Sequence, residues 1–154
     1  MALNQALVGK RYPAVRYEVG REKLREFAIA VGETDPIYHD EAAARAAGHP
    51  DIPAVPTFAV VLSLRAGQVV YGDPELGLDY SRVVHGEQEF VYHRPIRAGD
   101  RLLATGKVAA AQAKGRHELL TLETEVRTED GEPVCLVRGT LLSRGTAPPR
   151  EGRA

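Results

Sequence analysis

The segment "IPAVPTFAVVLSLRAGQVV" (52–70) constrains the fold more than any other part of the chain. Prolines at 50, 53 and 56 precede a run, Phe58 to Leu64, that is apolar on almost every side. Pro56 suits the first position of a helix, where its missing N–H leaves no hydrogen bond unmade. A helix that is apolar nearly all round has to be buried on most sides. A chain of 154 residues makes one domain with one core. It has room for only one such helix, so the rest of the fold must be built around it.

Upstream, "AVRYEVG" (14–20) reads as a short strand. In "REKLREFAIAVG" (21–32), Leu24, Phe27, Ala28 and Val31 fall at i, i+3, i+4 and i+7, one apolar stripe of a helix, with Gly32 placed to end it. "DEAAARAAG" (40–48) reads as a second, short helix, with Asp40 as N-cap, Glu41 in the positive first turn and Gly48 at its end. "YGDPELGLDYSR" is a loop, and after it the period changes to two. "VHGEQEFVYHR" places Gln88, Phe90 and Tyr92 on one face and Glu87, Glu89, Val91 and His93 on the other. "RLLATGKVAAA", "HELLTLETEVR" and "PVCLVRGTLLSR" follow as strands, joined by turns at "QAKGR" and "TEDGE". In the middle one, Leu120, Leu122, Thr124 and Val126 alternate with charged residues. The tail "GTAPPREGRA" is polar and rich in Pro and Gly and reads as disordered. The expected class is α+β: one domain over 1–144, an antiparallel five-stranded sheet layered on the long helix, and a tail over 145–154.

Other classes are excluded on simple grounds. The net charge is −1 and there is no basic cluster, so nothing draws the chain to nucleic acid. No apolar stretch approaches the roughly 18 residues of a membrane span. "MALNQALVGKRY" lacks the charged start and apolar core of a secretory signal, and the cytoplasm is the expected location. Cys135 is the single cysteine, which leaves no internal disulfide or cysteine metal cluster and reads as a core residue. His85 and His93 read as solvated or core-edge strand residues and His49 as a loop residue. No His/Asp/Glu spacing matches a metal site, and neither metal nor cofactor is expected.

The segment with the densest chemistry is "GETDPIYHD" (32–40), where Glu33, Asp35, Tyr38, His39 and Asp40 can all titrate. Asp40 fits a helix cap and Asp35, before Pro36, fits a turn opener. Glu33, Tyr38 and His39 are the candidates for acid–base work.

A helix wrapped by an antiparallel sheet in this strand order resembles the hot-dog fold. "GETDPIYHDEAAARAAGHPD" resembles the signature loop of the MaoC-like (R)-hydroxyacyl-thioester hydratases and dehydratases, Gly-Asp-x-Asn-Pro-(Ile/Leu)-His-x-Asp followed by an Ala-rich helix and Gly. "VVHGEQEFVYHRPIRAGDRL" resembles that family's strand and its Arg-Pro…Ala-Gly-Asp turn. The likeness covers about residues 5 to 144. Within that family the chain most resembles the FAS1-like dehydratase N-terminal type, the actinobacterial group that includes the A subunit of the (3R)-hydroxyacyl-ACP dehydratase.

The resemblance implies a dehydration that needs a base for the α-proton, an acid for the leaving hydroxyl, and a donor for the enolate oxygen. The family uses an Asp/His dyad and a backbone N–H at the start of the central helix. In this sequence the Asp position is Glu33, one methylene longer, and the His position is Tyr38, which titrates near pH 10. His39 comes one residue late. The helix start reads Val55-Pro56, and proline has no N–H, although Thr57 keeps its own N–H and hydroxyl. The pattern implies a substrate-accommodating subunit for an acyl-CoA or acyl-ACP thioester, paired with a catalytic MaoC-like subunit. Asp35, Pro56, Thr57, Phe58, Phe90 and Tyr92 would face the substrate, along a tunnel beside the 56–70 helix. Three alternatives stay open. They are a self-sufficient homodimeric hydratase or dehydratase using Glu33 with Tyr38 or His39, an acyl-thioester binder without activity, and a thioesterase.

Overall fold

Five strands, β1 (Val15–Glu18), β2 (Val83–Tyr92), β3 (Arg101–Lys114), β4 (His117–Thr128) and β5 (Pro133–Ser143), form one antiparallel sheet in the computed structural model, which describes residues 2–148. Their spatial order is β1-β3-β4-β5-β2, so the two edge strands are the first two in the chain. Between those edges in sequence lie α1 (Arg21–Ala30), α2 (Glu41–Ala46) and α3 (Ala59–Tyr71). The helix α3 packs on β3, β4, β5 and β1. This is the expected α+β hot-dog arrangement.

Pro56–Phe58 form a 3-10 turn that leads into α3, with the proline at its start. Phe58 is fully buried and meets Phe27 and Tyr17 edge-on, with ring centroids 5.3 and 6.3 Å away. Such pairs add to the burial energy of the rings. Leu62, Ala66 and Val70 continue the buried stripe at a spacing of one helical turn. The opposite flank departs from the expectation of burial on most sides. Leu64 is 53% exposed and Val69 39%, because one five-stranded sheet covers only one side of the helix. In α1, Leu24 and Ala28 are buried, whereas Val31 is exposed, because the helix ends there and the chain turns through Gly32 at φ +75°.

Two strand details also differ from the sequence reading. The turn expected over 112–116 contracts to Gly115 and Arg116, with pairing maintained out to Lys114 and His117. A glycine at φ +65° lets a two-residue turn close the hairpin. In β2 the register shifts between His85 and Glu87, so Gly86 is the extra residue of a bulge.

Two buried polar clips fix the ends of the sheet. Arg94 donates to both carboxylate oxygens of Asp100, at 2.8 and 3.0 Å, and Asp100 also accepts the Arg97 amide. Glu118 lies on the core face of β4, contrary to the outward charges expected there. Both its oxygens accept the Leu3 amide, at 3.0 and 3.1 Å, which ties the start of the described chain to the sheet. Residues 149–154 of the expected disordered tail lie outside the described residues. Within 145–148, the Gly145 amide donates to His117 Nδ1 and the Thr146 hydroxyl to the Ser143 carbonyl.

Candidate active-site loop and cavities

The loop at 32–40 is held by its own titratable side chains. Asp35 caps the 3-10 turn Pro36–Tyr38 by accepting the Ile37 amide, and Asp40 caps α2 by accepting the Ala43 amide. Glu33 is folded back, with Oε1 accepting the Asp35 amide at 2.9 Å. His39 Nε2 lies 2.7 Å from the Glu33 backbone carbonyl. A carbonyl carries no proton, so this nitrogen must donate, and only Nδ1 remains free. The backbone carbonyl of His39 accepts from Arg25 Nε at 2.7 Å, which anchors the loop to α1. The Glu33 carboxylate and the His39 imidazole therefore do not converge on a common point.

Of the dyad-equivalent side chains, Tyr38 lines a cavity. That cavity, about 420 Å³, is bounded by Ile37, Tyr38, His49, Pro56, Tyr92 and Arg94 among others. Burial pushes the Tyr38 phenol above its usual pKa, and the nearby charges of Glu33 and Asp35 add to the effect. It keeps its proton at neutral pH, so it can donate a hydrogen bond but cannot act as a base.

At the mouth of the central helix, the Tyr92 hydroxyl donates to the Pro56 carbonyl at 2.5 Å. Burial raises the Tyr92 pKa, Cys135 raises it further, and the Ala59 amide opposes them. A neutral phenol thus sits against the first helical turn, where an oxyanion would need a free donor. Thr57 is exposed at this turn. Phe58 is sealed in the core and reaches no cavity. Phe90 packs against the core with its ring 6.4 Å from Tyr92 and lines neither of the two larger cavities.

A second cavity, about 360 Å³, runs between α3 and the core face of the sheet, with Ser63, Leu64, Tyr71, Tyr80, His85 and Gln88 on its walls. His85, Tyr71 and Tyr80 were not expected there. The bulge at Gly86 reverses the alternation of β2, so His85 and Gln88 share a face. The Gly at 86 between two apolar stretches was the sequence signal for it. His85 Nε2 donates to Gln88 Oε1 at 3.2 Å, and Gln88 Nε2 donates to the Arg138 carbonyl at 3.1 Å. Burial, with the neighbouring Tyr80 adding, pushes Tyr71 up to about 12. Among the described residues there is no cluster of His, Cys, Asp and Glu able to hold a metal, and no helix is long and apolar enough to cross a membrane.

Comparison with known proteins places this geometry. The family model for the FAS1-like dehydratase domain region matches residues 6–137. A UPF0336 protein of Saccharopolyspora erythraea is 52% identical over 153 residues, which is 99% of this chain and 98% of that one. The UPF0336 protein SCO4636 of Streptomyces coelicolor is 51% identical over 145 residues, 94% of this chain and 97% of that one. Among solved structures, the C-terminally truncated HadBC (3R-hydroxyacyl-ACP dehydratase) complex from Mycobacterium tuberculosis matches with a TM-score of 0.78 and 30% identity, over 88% of this chain and 96% of that chain. A MaoC-like dehydratase matches with a TM-score of 0.83 and 29% identity, over 91% of this chain and 43% of that longer chain.

Proposed function

The chain belongs to the FAS1-like dehydratase family, and from that premise we propose that it is the substrate-accommodating subunit of a (3R)-hydroxyacyl-thioester dehydratase. A catalytic MaoC-like partner supplies the base and acid, and this chain holds part of the acyl thioester. One observation carries the reading. His39 Nε2 is engaged by the Glu33 carbonyl and Glu33 Oε1 by the Asp35 amide, so the two side chains bond to the loop backbone and not to each other. Glu33 and His39 hold the loop in shape and do not form an acid–base pair with each other. Tyr38, kept protonated by burial, can still orient a thioester carbonyl by hydrogen bonding, whereas the Tyr92 proton is held by the Pro56 carbonyl.

The edge of the sheet supports a partner chain. β2 is ten residues long, lies at the edge, and exposes Val84 and Val91. A long edge strand leaves a row of unpaired backbone groups, a pairing surface that proteins usually cover. The structural neighbour HadBC is itself a complex. The assembly would work in the cytoplasm on an acyl-CoA or acyl-ACP thioester. The test is hydration of crotonyl-CoA, followed by loss of its enoyl absorbance. The purified chain alone should stay at the buffer rate, and co-expression with a MaoC-like partner should give turnover. Full activity from the isolated chain would contradict the proposal.

A further inference from the structure

At one corner of the sheet, four neighbouring strands end on basic residues. Lys114 closes β3 opposite His117, the first residue of β4. Ser143, the last residue of β5, pairs with Glu118 of β4 and with Val83 of β2. One residue beyond those pairs, Arg144 falls in line with His117 on one side and with Arg82 on the other, and its amide donates to the Arg82 carbonyl at 3.1 Å. Glu118 and Ser143 are buried on the core face, so His117 and Arg144 turn outward by the alternation of a strand. At about 4.8 Å between neighbouring strands, Lys114, His117, Arg144 and Arg82 make a row roughly 14 Å long. Arg116 stands beside it in the hairpin turn. No stretch of the sequence carries this cluster, because the sheet assembles it from separate strands.

Like charges set opposite one another across strands destabilise a sheet. Here little offsets them. Arg82 meets Asp79 at 3.3 Å in an exposed contact, and among the described residues no carboxylate pairs with Lys114, Arg116 or Arg144. Arg82 and Arg144 hold each other instead. Arg82 Nη1 donates to the Arg144 carbonyl and Arg144 Nε to the Arg82 carbonyl, both at 3.4 Å. The Arg144 Nη groups meet no acceptor among the described residues.

His117 shows what the corner lacks. The Gly145 amide donates to its Nδ1 at 3.1 Å, so Nδ1 offers a lone pair and the ring proton is on Nε2. Nε2 lies 3.4 Å from Arg116 Nε. Both of these nitrogens carry a hydrogen and neither can accept. Two donors therefore converge with no acceptor for them among the described residues, a geometry that one shared oxygen would satisfy. We propose that this corner binds a phosphate group, with one oxygen accepting from Arg116 Nε and His117 Nε2 and the others met by Lys114 and the Arg144 guanidinium. A phosphate monoester carries a charge of about −1.5 to −2 near neutrality and three acceptor oxygens, which suits Lys114, Arg116 and Arg144 together. A carboxylate, with one charge and two oxygens, would leave part of the set unmet. The corner lies at the start of β2, ten residues from the Tyr92 end where Tyr38 lines its cavity. It stands whether or not the subunit reading does.

The experiment follows the side-chain N–H signals of Arg116 and His117 by NMR in the isotope-labelled full chain. Sodium phosphate is titrated against sodium chloride at matched ionic strength, and adenosine 3′,5′-bisphosphate against adenosine. Phosphate should shift both signals to saturation, and chloride and adenosine should not. Arg116→Gln combined with Arg144→Gln, both at exposed positions, should weaken phosphate binding about tenfold or more, read at His117, because each removes a charge-assisted bond. Lys114→Gln, also exposed, should weaken it in the same direction and serves if the double variant does not fold. Equal affinity for phosphate and the bisphosphate would make free phosphate the ligand, and much tighter binding of the bisphosphate would make it a nucleotide-borne phosphate; both support the site. Shifts that never saturate, or that chloride or adenosine reproduces, would overturn it. So would a folded double variant that binds phosphate as wild type does. Binding of a DNA duplex without a saturable response to either phosphate compound would overturn it in favour of a nucleic-acid surface.

Discussion

The imidazole Nε2 of His39 donates to the backbone carbonyl of Glu33 across 2.7 Å, within one loop of the same chain. The ring therefore fastens the loop and leaves Nδ1 as its one free nitrogen. His39→Ala should remove one hydrogen bond and cost about 1 kcal/mol of stability, read from the urea midpoint. Turnover in the assembled complex should be nearly unchanged. Removing a general base typically costs about a hundredfold or more, so a loss of that size would show that His39 takes part in the reaction.

Arg94 and Asp100 form a two-pronged ion pair with 15% and 8% side-chain exposure. Asp100 also fixes the turn by accepting the Arg97 amide. Asp100→Ala leaves a largely buried guanidinium with only Glu132 as carboxylate partner. It should cost about 3 kcal/mol, because an uncompensated buried charge is more expensive than the pair. Chemical denaturation measures the loss. A change within experimental error would mean that the Arg-Pro…Ala-Gly-Asp turn is held by its backbone alone.

The fold and the chemistry were not equally legible in the sequence. The central helix was readable because prolines and a continuous apolar run leave a small domain few ways to bury it. The strands were readable from alternation at 120, 122, 124 and 126, whose residues face the core. His85 was missed because the bulge at Gly86 adds one residue and turns its side chain to the face of Gln88. Glu118 was missed because its inward carboxylate is compensated by the Leu3 amide, a partner 115 positions away that no local pattern announces. The altered dyad positions were visible as residue types. Their engagement with the loop backbone was not, since a side chain's hydrogen-bond partner depends on loop geometry. Phe90 had the alternation of a tunnel residue, but its partners are core side chains.

Acid should weaken the fold through two carboxylates. Asp73 is held at about 2, first by Lys10, then by the Tyr12 hydroxyl and the Glu75 amide. Asp51 is held at about 2, first by the Arg21 guanidinium, with burial opposing and the Ile52 amide helping. An unfolded Asp titrates near about 3.9. Both folded values are depressed, so their stabilising effect is fully present above that value and is lost as pH falls through it toward about 2. The unfolding temperature should be flat near neutrality and fall below about pH 4. The double variant Asp51→Asn with Asp73→Asn should start lower and fall less steeply. An unchanged acid slope in that variant would show that other groups govern it.

Burial pushes the Cys135 thiol up to about 11, with the Val91 amide and Tyr92 acting in the opposite direction. The thiolate is the reactive form, so the native protein should label slowly with a disulfide reagent at about pH 8. Labelling should become rapid only as urea unfolds the chain. Fast labelling of the native protein would mean that the β2–β5 region opens without global unfolding.

The most direct test of the borrowed reaction centre compares two assembled complexes in the crotonyl-CoA hydration assay. One carries Glu33→Gln, Tyr38→Phe and His39→Ala in this chain. The other carries an Ala in place of the dyad histidine of the MaoC-like partner. The account predicts that the first complex keeps most of its kcat and the second loses essentially all of it. The reverse pattern, with activity lost on changing this chain and kept on changing the partner, would contradict it.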